Sequence, residues 1–184
     1  MGMSRRMAVA GLAAAATGLA RGAAAAGADA PIETLKWDRL LAPGWDPRRD
    51  FDALGLERME DGDPAAERAL ARLRETWDRA PANPALDGRA VRLWGYMQPV
   101  DADRDVIRSF LLVPYFGACV HEPSPPSNQV VWVEPARPFP VAARGTSAVW
   151  AAGRLEVRRV ETGMGVAGYR LVAADVAPYG GEAS

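Results

Sequence analysis

The sequence predicts a mainly β protein: a small OB-like, five-stranded Greek-key barrel with an N-terminal helix and an extended arm. Two observations predict it. Five apolar runs between Arg89 and Val176 are divided by turn-rich loops, which suits a small barrel or sandwich. Gly95 and Gly153 stand inside two of those runs, where glycine marks a bulge, a corner or a close approach. A closed barrel also leaves no unpaired strand edge.

Composition sets the outer limits. The chain has 184 residues, enough for one domain with an appendage. Its 49% hydrophobic and 24% charged content is that of a globular chain, not a disordered one. A single Cys excludes an intramolecular disulfide and any multi-cysteine zinc or iron–sulfur centre, and a single His excludes chemistry that needs two.

Residues 1–28 read as a signal peptide. Arg5 and Arg6 form a charged start, an Ala-rich apolar run follows, and Ala26-Gly27-Ala28 is a small-residue cleavage site. The apolar run from Met7 to Ala20 is too short for a bilayer span, which needs about 20 residues. Ser4-Arg5-Arg6 before a weakly apolar run fits the twin-arginine route, with general secretion as the alternative. No Cys stands near the cleavage site, which excludes a lipoprotein anchor. The expected location is therefore periplasmic, without a membrane anchor. Residues 1–28 carry Arg5, Arg6 and Arg21 and no acid, so their removal takes the formal charge from −1 to −4. A mildly acidic exported domain is a poor partner for nucleic acid or an anionic membrane surface.

Residues 29–86 read as an N-terminal arm and helix. Leu35, Leu40 and Leu41 near Trp37 suit a short amphipathic turn, and the rest reads as an extended strap pinning Trp37, Trp45 and Phe51 to the body. Asp63-Pro64 opens the clearest helix, with Asp as N-cap and Pro at the first helical position. Ala66, Leu70, Leu73 and Trp77 share one face, and Pro81 and Pro84 end the helix. An amphipathic helix normally buries its own apolar stripe, so this face is read as core rather than partner surface.

Residues 87–179 read as the barrel and 180–184 as a tail. The expected strands are 89–99, 106–114, 129–134, 148–160 and 168–176. Along the first, Val91 and Leu93 alternate with Arg92 and Trp94. Along the fourth, Trp150, Leu155 and Val157 alternate with Arg154, Glu156 and Arg158.

One segment departs from this ordinary pattern. The only Cys and the only His stand two apart, at Cys119 and His121. In an extended backbone such positions share a face. A thiolate and an imidazole there suit a borderline or soft cation such as zinc or copper, and Glu122 adds a carboxylate. A neighbouring imidazolium also lowers a thiol pKa, which opens thiol chemistry. The bland alternative is a buried apolar Cys and a hydrogen-bonded His. Two ligands do not close a zinc site, which normally takes four. Glu122-Pro123-Ser124-Pro125-Pro126-Ser127 is expected to be extended and stiff, because Pro fixes φ and restricts the residue before it.

The same segment carries a resemblance. Leu111-Leu112-Val113-Pro114-Tyr115-Phe116-Gly117-Ala118-Cys119-Val120-His121, the prolines after it and Asn128-Gln129 resemble the signature of an uncharacterised family of exported bacterial proteins, domain-of-unknown-function family 3299. Leu86-Asp87-Gly88 with Arg92-Leu93-Trp94-Gly95-Tyr96 and Pro99 resembles its first strand. Ala148-Val149-Trp150 with Gly153-Arg154-Leu155, and then Ala167-Gly168-Tyr169, follow in the same order. The resemblance covers residues 33–179. The chain departs from the pattern at Glu122, where the family has an apolar residue, and at Ser124 and Ser127, where it has more prolines. The family name supplies no activity. The resemblance implies only a metal or transport context, with a transporter or other periplasmic protein as partner.

Enzymatic templates find little support. Ser109 and Ser147 have no Gly-x-Ser-x-Gly context, and Gly163-Met164-Gly165 reads as a turn rather than a dinucleotide loop. The acidic pairs Glu60-Asp61 and Asp101/Asp103 read as solvated turns. A cysteine hydrolase built on Cys119 and His121 would need an orienting third group and an oxyanion hole, and the sequence displays neither. Trp94, Tyr96 and Trp132 could form a stacking surface, but their alternation suits core packing better. The expectation is an exported, non-catalytic binding or accessory protein with Cys119, His121 and Glu122 as metal ligands. The alternative is a protein–protein or small-ligand adaptor, with Tyr115 and Asn128 as polar lining of a groove. A thiol enzyme is the weaker alternative.

Overall fold

The computed structural model describes residues 31–55, 63–115, 124–140 and 148–180. The expected signal peptide and the Cys119–Glu122 segment lie outside them.

In chain order the strands are β1 (Glu33–Thr34), β2 (Ala90–Ala102), β3 (Val106–Val113), β4 (Val131–Pro135), β5 (Phe139–Pro140), β6 (Ala148–Glu156), β7 (Val160–Thr162), β8 (Gly165–Ala167) and β9 (Tyr169–Pro178). The α-helices are α1 (Pro47–Asp52) and α2 (Pro64–Trp77). Five strands close a barrel in the order β2–β3–β4–β9–β6 and back to β2. The last strand thus inserts between the third and fourth, the Greek-key exchange of an OB-like barrel. Every neighbouring pair is antiparallel except β4 with β9, which is parallel.

The alternation along the strands builds the interior. Val91, Leu93 and Met97 of β2 join Phe110 and Leu112 of β3, Val131 and Val133 of β4, Val149, Ala151 and Leu155 of β6, and Tyr169 and Leu171 of β9. Strand β3 is buried on both faces from Ser109 to Val113. Its outward Leu111 and Val113 form a second apolar cluster with Val130 and Ala167, against which Tyr96 and Trp132 pack.

The two internal glycines do different work. A side chain at Gly153 would meet the Val172 carbonyl at 2.7 Å, and the β6–β9 register shifts there, opposite Ala173 at φ 50°. This is the expected bulge. At Gly95 the β2–β6 register runs unbroken. Here glycine makes room: a Cβ would stand 2.6 Å from the Val113 carbonyl and 2.8 Å from the Trp37 ring.

Several expectations change. Trp94 and Tyr96 alternate with the interior residues of β2 and lie half-buried on its other face, Tyr96 against the second apolar cluster and Trp94 outside both. Trp150 likewise lies outside, between inward Val149 and Ala151. Tyr179 stacks on Trp94 with ring centroids 5.1 Å apart, and Arg92 sits 4.9 Å over Trp150. The fourth strand ends at Glu156 rather than at 160, since the Val157 N–H donates to the Asp87 carboxylate at 2.8 Å. Residues 160–167 then form the separate β7–β8 hairpin, with Gly163 and Met164 at its turn.

The arm is less extended than expected. Trp37–Leu40 form a 3-10 turn with Leu35 and Leu40 buried, and the Trp37 indole donates to the Trp94 carbonyl at 2.9 Å. Beyond it stands a helix where a strap was expected. Asp46 caps α1 by accepting from the Arg48 N–H at 3.0 Å, and Pro47 opens the helix. Helix α2 starts as expected, with the Asp63 carboxylate accepting from the Ala65 N–H at 2.7 Å. Its buried line is Ala69, Leu73 and Trp77; Ala66 and Leu70 are half-buried at the flank. These buried residues lie outside both apolar clusters of the barrel.

Candidate functional site

A cleft of about 620 Å³ lies outside the barrel, bounded by α1, the end of α2 and the chain on either side of residues 116–123. From α1 come Pro47, Arg48, Phe51 and Asp52, and from the end of α2 comes Trp77. Pro114 and Tyr115 follow β3 directly, and Pro125, Pro126 and Gln129 precede β4. Its volume falls within the range of small-molecule and peptide sites.

Local chemistry fixes each wall. Pro126 has φ −62° and ψ 152°, a polyproline conformation, and Pro125 and Pro126 are buried. The turn after them is tied down from three sides. The Asn128 amide nitrogen donates to the Pro81 carbonyl at 2.9 Å, the Gln129 amide nitrogen to the Trp37 carbonyl at 2.7 Å, and the Gly168 N–H to the Ser127 carbonyl at 2.7 Å. The proline wall is therefore held by the arm, by the α2–β2 connection and by Gly168 between β8 and β9.

The floor has an unusual feature. Trp77 is 8% exposed, and its indole Nε1 is shielded from solvent with no hydrogen-bond partner among the described residues. A buried unmet donor costs about 1–3 kcal/mol, so it is uncommon in a settled core. Phe51 is 37% and Tyr115 46% exposed, and both line the same cleft as Trp77. Arg48 and Asp52 stand one helical turn apart at the α1 edge.

Of the residues singled out from sequence, Tyr115 lines this cleft. Asn128 does not line it; it is fully buried, with its side-chain oxygen unpartnered among the described residues. Cys119, His121 and Glu122 fall outside the described residues. Among the described residues no group of three His, Cys, Asp or Glu side chains is placed to hold a metal ion. Among them, too, no helix is long and apolar enough to cross a membrane. Sequence reasoning placed Phe51 on an extended strap, where the structure has a helix, and read Trp77 as core, which its burial bears out, without seeing that both also line a cleft. The Asp46-Pro47 pair, the same cap signal as Asp63-Pro64, would have revealed α1 and with it Phe51 on a helix.

A second polar cluster lies on the outer wall of the barrel. Arg170 of β9 contacts Glu134 of β4 at 2.5 Å and Glu156 of β6 at 3.4 Å, while the Trp132 indole donates to Glu134 at 3.1 Å. Burial pushes the Glu134 carboxyl up. The hydrogen bonds from Arg170 and Trp132 and the charges of Arg170 and Arg158 outweigh it and hold the group below its usual range. This network spans three neighbouring strands and is committed to joining them.

The fold and the cleft together define a class: a closed OB-like barrel with an external, aromatic-lined recess. The chain belongs to the family described as "Protein of unknown function (DUF3299)", which matches residues 37–178. A DUF3299 family protein from Pseudomonas aeruginosa PAO1, known from its crystal structure, is 31% identical, with a TM-score of 0.64. The match covers 84% of this chain and all of that one. No functionally curated protein matches the chain significantly.

Proposed function

We propose that this chain is an exported, non-catalytic binding or accessory protein whose ligand site is the Phe51–Trp77–Tyr115 cleft. The observation that carries the reading is the recess itself, lined by Trp77 and flanked by Phe51 and Tyr115, two partly exposed aromatic residues. The Trp77 indole N–H is buried without a partner among the described residues, and a ligand seated against the residue would change its surroundings. Export rests on the charged start, apolar run and Ala26-Gly27-Ala28 site of residues 1–28. Two measurements test this. Exported material should begin at Asp29 or close to it; a protein that begins at Met1 would overturn export. Isopropanol and dioxane, added as small probes, should shift the Trp77 indole signal in a ¹H–¹⁵N spectrum. A spectrum in which the other indoles move and Trp77 does not would overturn the cleft as the site.

A second reading places a transition metal, zinc or copper, on Cys119, His121 and Glu122. It is favoured by the sequence placement of the only Cys and only His two residues apart. The chain on either side, at Tyr115 and Pro125, belongs to the cleft. A transporter or another periplasmic protein is the partner this reading suits. Metal analysis of the untagged protein tests it. Stoichiometric metal that is lost in both Cys119→Ser and His121→Ala supports it, and metal at background overturns it.

A further inference from the structure

We propose that residues 175–180 form a latch that opens and closes on the folded barrel, bending at Ala173 and locked by the Tyr179 ring. The open latch uncovers the Trp94 and Trp150 indoles and an edge of β6. None of these residues lines the Phe51–Trp77–Tyr115 cleft, so the inference stands apart from that reading.

The two halves of β9 differ in their neighbours. From Tyr169 to Ala174 the strand lies between β4 and β6. Beyond Ala174 only the pairing with β6 continues among the described residues, through Asp175, Val176, Ala177 and Pro178. Asp175 and Val176 share a recess of about 210 Å³ with Phe139 and Pro140 of β5 rather than pairing with that strand. The ladder leaves the same side bare. The Tyr179 N–H donates to the Ala148 carbonyl at 3.0 Å, and in an antiparallel ladder bonded residues alternate with unbonded ones. Ala177 therefore bonds to β6 as Tyr179 does, while Val176 and Pro178 turn their backbone groups outward. Pro178 has no N–H to present there, which suits an edge.

Two side chains peg this one-sided strand. Val176 packs against the barrel core. The Tyr179 ring stacks on Trp94 with centroids 5.1 Å apart and tilts against Trp150 at 5.7 Å. Both residues are half-buried, and the other four of residues 175–180 are exposed. The bend lies at the bulge. There the β6–β9 register shifts between Ala152 and Arg154, beside Ala173 at φ 50°, a left-handed conformation that a residue with a Cβ adopts at a cost. A segment past such a bulge, paired on one side and exposed on the other, belongs to the low-stability end of a fold. Its release leaves the Leu155–Leu171 pairing on the near side of the bulge intact.

Amide hydrogen exchange of the full ¹⁵N-labelled chain at low urea concentrations tests this. The Leu155 N–H, which donates to the Arg89 carbonyl at 2.8 Å, reports on the barrel. The Ala177 and Tyr179 amides should exchange together, roughly 100-fold faster than Leu155, and without the dependence on urea that Leu155 shows. Tyr179→Ala should speed the Ala177 amide several-fold and shift the Trp94 and Trp150 indole signals, each identified by its absence from the matching Trp→Phe variant, with Leu155 exchange unchanged. Tyr179→Phe keeps the ring and should behave as wild type. Ala177 and Tyr179 amides that share the urea dependence of Leu155 overturn the latch, because the segment would then open only with the barrel. Fast exchange at Tyr179 with Ala177 following Leu155 overturns it too, as fraying of one residue. An unmoved Ala177 rate in Tyr179→Ala, or an equal rise in Tyr179→Phe, overturns the ring as the lock.

Discussion

The Tyr169 phenol donates to the Leu40 carbonyl at 2.5 Å across 129 positions of sequence. The same oxygen accepts from the Asn83 N–H at 2.6 Å. One fully buried hydroxyl in the last barrel strand thus joins the arm and the α2–β2 connection to the barrel. Both of those segments hold walls of the cleft, through Trp37 to Gln129 and through Pro81 to Asn128.

Tyr169→Phe should therefore cost about 1–3 kcal/mol, since it leaves a buried carbonyl and a partly buried N–H unmet. Its pH dependence is specific. Burial pushes the phenol up to about 12, against the Asn83 N–H, which favours the ionised form. The folded state then holds the proton more tightly than the unfolded state, where the group titrates near 10. The stabilisation is complete below pH 10 and is lost as pH rises toward 12. Denaturant midpoints of wild type and Tyr169→Phe should differ by a constant amount up to about pH 9 and converge above pH 10. A difference that grows in alkali would refute the buried bridge.

Gly95→Ala should destabilise severely. The added methyl would meet the Val113 carbonyl at 2.6 Å, the Trp37 ring at 2.8 Å and Leu112 at 3.0 Å. Side chains give way, but the carbonyl belongs to the paired strand and cannot. Overpacking of this kind costs about 1–3 kcal/mol or more. Gly163→Ala is the control, since nothing stands within 4 Å there and its φ is ordinary. Thermal melts should separate the two by several degrees, and similar melts would mean that β2 and β3 slide apart at no cost.

The barrel was legible because its strands are long and their burial alternates. The run expected at 106–114 is β3 at Val106–Val113, and the run at 168–176 is β9 at Tyr169–Pro178. The short strands were not legible. Glu33–Thr34 and Phe139–Pro140 are strands only because β2 and β3 lie beside them, and no two-residue pattern announces a partner far away in sequence. The outward tryptophans misled for a related reason. Trp94 and Trp150 share an outer face, where Tyr179 covers both, so their apolar character reports a satellite contact rather than the core. The cleft was the least legible part. Residues 47–52, 77, 114–115 and 125–129 have no common period, and only the closed barrel brings them together. Tyr115 was found because it borders the one unusual motif, and Trp77 was hidden because a stripe of Ala, Leu and Trp reads as core.

Loss of the Glu134–Arg170 pair should appear on the acid side. The Glu134 carboxyl is held low, so its contribution is complete above the unfolded value near 4.3 and fades as pH falls through the folded value. The two side chains are 38% and 27% exposed, which screens the pair and limits it to about 1 kcal/mol. Glu134→Gln should flatten the stability profile below pH 5 relative to wild type, and 1 M salt should shrink the difference at neutral pH. An unchanged acid limb would show that the Trp132 and Glu156 contacts hold the strands without the charge.

The last expectation concerns what α2 contributes. Its buried line is Ala69, Leu73 and Trp77, with Leu70 a half-buried flank. Leu73 is 4% exposed, so Leu73→Ala should cost about 2–5 kcal/mol, the usual range for a buried leucine. Leu70→Ala removes the same atoms from a half-wet position and should cost less than half as much, because less area leaves water there. Urea unfolding of the two variants measures the ratio. Equal losses would place Leu70 in the contact face and turn the helix toward it, since positions three apart on a helix lie about 60° from each other. Trp77 stands seven positions from Leu70, about 20° away on the same side, so that rotation would seat Trp77 nearer the centre of the contact face, and the same measurement bears on how deeply the indole is held.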